Sequence, residues 1–66
     1  MTREDYFTIL DLIDDQIEKE KKLCEGYVKL NPDDKGWREQ IRDGAISGLI
    51  SARIKIVDRF KKNLSA

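Results

Sequence analysis

The sequence predicts an all-α fold, an antiparallel hairpin of two helices that the whole chain forms as one domain over residues 1–66. Two long stretches repeat apolar residues at the spacing of a helix face, and neither shows the strict alternation of a β-strand. One short segment rich in turn residues separates the two stretches. Because helices joined by so short a connection are antiparallel neighbours, the predicted product is an αα-hairpin.

The first helix is predicted from about residue 3 to residue 30. Thr2 is suited to cap its start, and Glu4 and Asp5 place negative charge in the first turn, where the helix dipole favours it. One arc of the helical wheel is apolar and contains Tyr6, Ile9, Leu10, Ile13, Ile17, Cys24, Tyr27 and Val28. A second stripe on one flank of this arc contains Leu12, Leu23 and Leu30.

A turn is predicted over residues 31–36, which hold the only proline of the chain, Pro32, beside Asn31, two aspartates and Gly36. These residue types are typical of turns, and a proline disfavours the α conformation in the residue before it. The first helix is therefore expected to end near residue 30.

The second helix is predicted to begin at Asp34 or Trp37 and to end at about residue 64. Its apolar arc contains Ile41, Ala45, Ile46, Gly48, Leu49, Ala52, Ile56, Val57, Phe60 and Leu64. Each glycine inside a helix costs about 1 kcal/mol relative to alanine, so Gly44 and Gly48 offer a break as an alternative. A continuous helix is favoured because the apolar pattern keeps its phase on both sides of these glycines.

The two apolar arcs are wider than the seam that a single partner helix covers. A chain of this size also has little core to offset the entropy of ordering, and it has no disulfide to help. We therefore expect the hairpin to complete a four-helix bundle as a dimer, or to pack on a different protein. The small residues Gly44, Gly48 and Ala52 fit either tight packing within the hairpin or a groove for a partner helix. Trp37 either caps the hairpin core or anchors a partner.

One charged residue interrupts each apolar arc, Glu20 in the first helix and Arg53 in the second. In an antiparallel hairpin whose turn is centred near residue 33, each residue has a counterpart at the same height, that is, the same position along the helix axis. Glu20 lies at the height of residues 44–47, and Arg53 lies at the height of residues 11–14. A direct bond between the two charges is strained, because their heights differ by about 9 Å. Arg53 is expected to meet Asp14 or Asp11. The alternatives left for both charges are a role in fixing register, within or between chains, and extension of the side chain to solvent.

The net charge of zero conceals a division of charge between the halves. Residues 1–34 hold ten acidic and five basic residues, a charge of −5, whereas residues 35–66 hold eight basic and three acidic residues, a charge of +5. This division favours antiparallel pairing of the two helices. It also offers an acidic face for a basic partner, made of Asp11, Asp14, Asp15, Glu18 and Glu25. A basic rim that could contact phosphates is made of Arg38, Arg42, Lys55, Arg59 and Lys62.

Residues that carry chemistry are scarce. The chain has no histidine, one cysteine (Cys24), no phosphate-binding glycine motif and no nucleophile–base pair, so no enzyme activity, metal or cofactor is predicted. Neither a run long enough to span a membrane nor a signal sequence is recognisable, which indicates a cytoplasmic protein. The sequence favours a small protein-interaction module, a regulator or inhibitor that acts through its helix faces. The alternatives are a nucleic-acid-associated regulator using the basic second helix, and a purely structural homo-oligomer.

Overall fold

Two long helices lie side by side along the length of the molecule. The computed structural model describes the backbone of residues 2–65 and the side chains of residues 2–63, so the side chain of Leu64 in the predicted apolar arc lies outside the described part. Helix α1 spans Arg3–Leu30, helix α2 spans Lys35–Ser65, and Pro32–Asp34 form one turn of 3₁₀ helix between them. No strand occurs within residues 2–65. The predicted all-α hairpin is confirmed.

The start of α1 is fixed by a capping box. The Thr2 hydroxyl accepts a hydrogen bond from the backbone N–H of Asp5 at 3.1 Å, and the Asp5 carboxylate accepts one from the backbone N–H of Thr2 at 3.4 Å. Each bond satisfies an N–H group that the helix itself leaves without a partner. Thr2 is therefore the N-cap that the sequence predicted.

The connection between the helices is shorter than the predicted turn over residues 31–36, and this prediction was wrong in its extent. Only Asn31 is non-helical, with φ −135° and ψ 67°, and its backbone N–H donates to the Tyr27 carbonyl at 2.9 Å. Pro32 then opens the 3₁₀ turn, because its fixed φ suits the first residue of a helical turn and its missing N–H costs nothing there. The chain thus returns to helix at once, and α2 begins at Lys35.

Helix α2 is continuous from Lys35 to Ser65, so the alternative of a break near Gly44 and Gly48 does not occur. Both glycines keep negative φ angles, as do all the described residues. The contact of this helix with α1 along its length offsets the low helix propensity of two glycines.

The core between the helices is thin. Among the described residues only two hydrophobic side chains are buried, Leu10 at 7% exposed and Cys24 at 1% exposed. The remaining residues along the seam are half-buried or exposed. Cys24 is a free, buried thiol, which agrees with its place in the predicted apolar arc of the first helix.

Aromatic pairs mark the two ends of the seam. Tyr6 stacks on Phe60 at the terminal end with ring centroids 3.9 Å apart, and Tyr27 lies 6.2 Å from Trp37 at the connection. From these pairs, residue i of α1 lies at about the height of residue 66 minus i of α2, to within one helical turn.

The molecule is a flat rod, with Cα extents of 52 × 17 × 9 Å. Its accessible surface is 5315 Å². A compact monomer of 7.7 kDa is expected to expose about 4,300 Å². The hairpin therefore leaves about 1,000 Å² more surface in water than a closed globule of its mass.

Candidate functional site

Large hydrophobic side chains are exposed along the whole rod. Eight of them among the described residues are exposed: Phe7, Leu12, Leu23, Leu30, Trp37, Ile41, Ile50 and Ile54. Five of these eight, Leu12, Leu23, Leu30, Trp37 and Ile41, lie on one broad side of the hairpin, and we call this set the outer apolar face. The other three point to the opposite side.

Helix α1 contributes the three leucines of the outer apolar face. At about 100° per residue, Leu12, Leu23 and Leu30 lie about 100° around the helix from the centre of the arc that packs on α2. Their side chains are 62%, 51% and 84% exposed. The leucine stripe that the sequence placed on the flank of the first helix is thus left uncovered by the hairpin.

Helix α2 contributes Trp37, Ile41 and a line of small residues between them and the terminal end. Gly44, Gly48 and Ala52 follow Ile41 on the same face, and we call these three the small-residue edge. Apart from the neighbouring residues and the backbone of its own helix turn, a Cβ atom added to either glycine would meet no atom within 4 Å. The interpretation of this edge as tight packing within the hairpin was therefore wrong.

The predicted apolar arc of α2 is correspondingly too wide on this flank, since Ile41, Gly48 and Ala52 are all exposed. Trp37 touches Tyr27 but remains 58% exposed. Its position is compatible both with capping the seam and with contacting a partner.

The flanks from α1 and α2 lie on the same side of the hairpin, as two contacts across the seam show. Tyr27 and Glu20 lie on the side of the α1 arc nearer the leucines, and they contact Trp37 and Arg38, which lie on the Trp37 side of α2. Counted by height, Leu30 is level with Trp37, Leu23 with Ile41 and Gly44, and Leu12 with Ala52, each to within about one turn.

The acidic face lies on the opposite side of α1 from the leucines. Its five members, Asp11, Asp14, Asp15, Glu18 and Glu25, are all exposed. Two of them form ion pairs within the chain, because Arg53 Nε lies 3.1 Å from Asp14 Oδ1 and Lys21 Nζ lies 3.5 Å from Glu18 Oε1. The prediction that Arg53 meets Asp14 or Asp11 is confirmed for Asp14.

Glu20 has a partner that the sequence argument missed. Arg38 Nη2 lies 3.9 Å from Glu20 Oε2, and the two side chains are only 15% and 24% exposed. The Arg38 Nη1 atom is buried and has no hydrogen-bond partner among the described residues. The sequence did contain a sign of this pair. Arg38 is two helical turns before Ala45, so the two residues lie on the same side of α2, the side that packs on α1.

A hydrogen bond ties the end of α1 to the 3₁₀ turn. The Tyr27 hydroxyl donates to Asp34 Oδ2 at 2.8 Å. This bond, with burial and the charge of Asp34, raises the pKa of Tyr27, and the nearby charge of Arg38 partly opposes the shift. The contact links the last turn of α1 to the residue just before α2.

The basic rim is partly neutralised within the chain. Arg42 lies 2.9 Å from Asp43 and 3.5 Å from Glu39, and the hydrogen bond to Asp43 is the main cause that raises its pKa. With Arg38 held by Glu20, two of the five basic-rim residues already face carboxylates. Lys55, Arg59 and Lys62 are exposed.

The described residues contain no group of three or more His, Cys, Asp or Glu side chains that could hold a metal ion. No helix in this part of the chain is long and apolar enough to cross a membrane. The outer apolar face is thus the candidate site that the geometry presents. Comparison of this chain with protein-family models, with curated proteins and with solved structures found no match.

Proposed function

We propose that this chain is a small protein-interaction module that completes its core by packing the helices of another polypeptide against the outer apolar face. It acts by this binding, as a regulator or inhibitor, and not by catalysis. The other polypeptide is a second copy, which makes a four-helix bundle, or a different protein.

The excess of exposed surface is the observation that carries the proposal. The hairpin exposes 5315 Å², about 1,000 Å² above the value for a compact monomer of its mass. A standard protein–protein interface covers about 800 Å² on each partner. One interface on the outer apolar face is therefore of the size needed to close the core.

The alternative of a nucleic-acid-associated regulator has less support. Two residues of its basic rim, Arg38 and Arg42, form ion pairs with carboxylates of the same chain. The remaining three, Lys55, Arg59 and Lys62, are exposed near the end of α2. Phosphate binding by so few cations is weak, and added salt weakens it further. Titration of mixed DNA and RNA at low salt tests this alternative, and a salt-sensitive complex would favour it.

The proposed function is tested by two matched double variants. Leu12→Gln with Leu23→Gln removes apolar surface from the outer apolar face, and Ile50→Gln with Ile54→Gln removes it from the opposite side. The exposed fractions are similar, 62% and 51% against 45% and 56%, and glutamine leaves the charge unchanged. Circular dichroism during urea unfolding and light scattering are recorded over a concentration series.

We expect the wild-type chain either to gain stability with concentration or to be only marginally folded at every concentration, because its core is open. In the first case the leucine variant should lose the concentration dependence, with a dissociation constant raised by at least about 100-fold, equivalent to ~3 kcal/mol. The isoleucine variant should keep it. A wild-type chain that is a stable monomer at the lowest concentration, and equally tolerant of both variants, contradicts the proposal.

A further inference from the structure

We infer that the outer apolar face is covered by a second copy of this chain, with both connections at the same end, so that α1 of each copy lies over α2 of the other. This inference rests on the proposed function and names its partner. Two-fold symmetry offers two ways to stack the faces. Placing the connections at the same end superposes unlike helices, whereas placing them at opposite ends superposes α1 on α1 and α2 on α2.

The sizes of the side chains favour superposition of unlike helices. The outer face of α1 carries leucines, whereas that of α2 carries the small-residue edge at the same heights. With the connections together, Leu23 of one copy lies over Gly44 and Gly48 of the other. Large residues then face small ones, which lets the two layers interdigitate. The opposite arrangement sets leucine against leucine and glycine against glycine, which leaves a gap of uneven width.

A hollow on α2 is in the place that this arrangement requires. It is lined by Ala52, Lys55, Ile56 and Arg59, and most of its lining is apolar. These positions are spaced i, i+3, i+4 and i+7, the spacing of the four residues that form the hole for one side chain of a facing helix. Leu12 lies at the height of about residue 54 and so enters this hollow of the second copy when the connections are together.

Charge favours the same arrangement. The half of the chain with α1 has a charge of −5 and the half with α2 has a charge of +5. With the connections at the same end, acidic and basic helices alternate around the four-helix bundle, and every neighbouring pair attracts. With the connections at opposite ends, two helices of charge +5 are neighbours, and they repel.

The area is also sufficient. The surplus of about 1,000 Å² on each hairpin matches the share that one partner contributes to a standard interface. A second copy supplies the same face, so one contact covers the surplus on both hairpins.

Spin labels measure the end-to-end orientation. In a Cys24→Ala background, Asp33→Cys places a single label beside the exposed connection, and pulsed electron paramagnetic resonance gives the distance between the two labels of a dimer. We expect a distance under about 30 Å, since packed helices lie only about 10 Å apart. A distance above about 40 Å, the length of a helix, overturns the inference in favour of opposite ends.

The unmodified chain provides a second measurement that does not depend on the Cys24 variant. If acidic and basic helices alternate, salt screens the attraction between them. We therefore expect the dissociation constant of the dimer to rise by at least about threefold when salt is raised from low concentration to 1 M. A dissociation constant that falls with salt contradicts the arrangement. A chain that stays monomeric and marginally folded overturns the second copy as occupant but leaves the proposed function standing, whereas a stable monomer overturns both.

Discussion

The Nε atom of Arg53 donates a hydrogen bond to Oδ1 of Asp14, 3.1 Å away, across the seam between α1 and α2. The two residues are 39 positions apart in the chain, and their contact lies near mid-length of the hairpin. Arg53 and Asp14 are 41% and 53% exposed, so water reaches both charges. The bond is therefore expected to add little to overall stability.

We expect Asp14→Asn and Arg53→Met to show a coupling free energy of about 0.2–1 kcal/mol in a double-mutant cycle, the range of exposed ion pairs. Methionine keeps most of the apolar stem of the arginine, so the cycle isolates the charge. Urea unfolding at low salt and at 1 M salt measures the coupling, which should shrink at high salt. A coupling well above 1 kcal/mol that is insensitive to salt would show that the pair is desolvated, contrary to the structure.

The second pair across the seam, Glu20 with Arg38, should respond differently, because both side chains are mostly buried. Glu20→Leu leaves the Arg38 guanidinium without its carboxylate. We expect a loss of about 2 kcal/mol, below the ~3–5 kcal/mol of fully buried pairs, because the atoms are 3.9 Å apart and both side chains keep some exposure. Adding Arg38→Met should restore stability to within about 1 kcal/mol of wild type or above it, because a buried ion pair can be replaced by apolar residues.

Urea unfolding of the Glu20→Leu and Glu20→Leu/Arg38→Met chains at one fixed protein concentration measures this effect. Light scattering on the same samples shows whether the association state changes as well. If Glu20→Leu alone is as stable as wild type and keeps its association state, Glu20 has no part in fixing register.

Comparison of these two pairs shows what the sequence can and cannot predict. Asp14 was found from height alone, because its Cα lies level with that of Arg53. Arg38 was missed because its long side chain runs along the seam, so it meets a residue about eight positions from the one at its own height. Helical periodicity predicted α1 over Arg3–Leu30 closely, since caps and turn residues bound it.

The orientation of the small-residue edge was not predictable from the wheel. Gly48 and Ala52 are neither strongly apolar nor polar. The helical wheel therefore could not show whether this flank of α2 packs against α1 or faces water. Packing against α1 decides this, and it leaves both residues in water. The candidate site is therefore partly predicted: the sequence showed the leucine stripe of α1 and offered a partner groove at the small-residue edge as one of two alternatives. The structure showed that both surfaces are exposed on the same side of the hairpin.

The Tyr27–Asp34 hydrogen bond makes stability depend on pH in the alkaline range. The pKa of Tyr27 is raised in the folded chain, chiefly by this bond, so its contribution is complete below the unfolded tyrosine pKa of about 10. That contribution is lost as pH rises through the folded pKa. In a Tyr6→Phe background, in which Tyr27 is the only tyrosine, ultraviolet titration of the phenolate measures the pKa directly.

We expect Asp34→Asn to lower the pKa of Tyr27 in this titration, because the carboxylate charge is removed and the hydrogen bond is weakened. Tyr27→Phe should remove this part of the alkaline loss of stability and should leave the thermal midpoint at neutral pH somewhat lower. An unchanged Tyr27 pKa in the Asp34→Asn chain would show that the bond is not formed in solution.

The hollow on α2 gives a test of the dimer that leaves the hairpin itself untouched. Ala52 lines the hollow, whereas the next residue, Ser51, points about 100° away from it on the same helix, and both are exposed. Ala52→Gln fills the hollow with a polar side chain and should raise the dissociation constant of the dimer by at least about tenfold, or ~1.4 kcal/mol.

Ser51→Gln adds a similar side chain to the surface of α2 away from the second copy, and the dissociation constant should stay within about twofold of wild type. Sedimentation equilibrium on both variants at matched concentrations makes the comparison, and circular dichroism checks that the helix content is unchanged. Equal effects of the two variants would show that Leu12 of the second copy does not enter the hollow, since only the residue that lines it should matter for association.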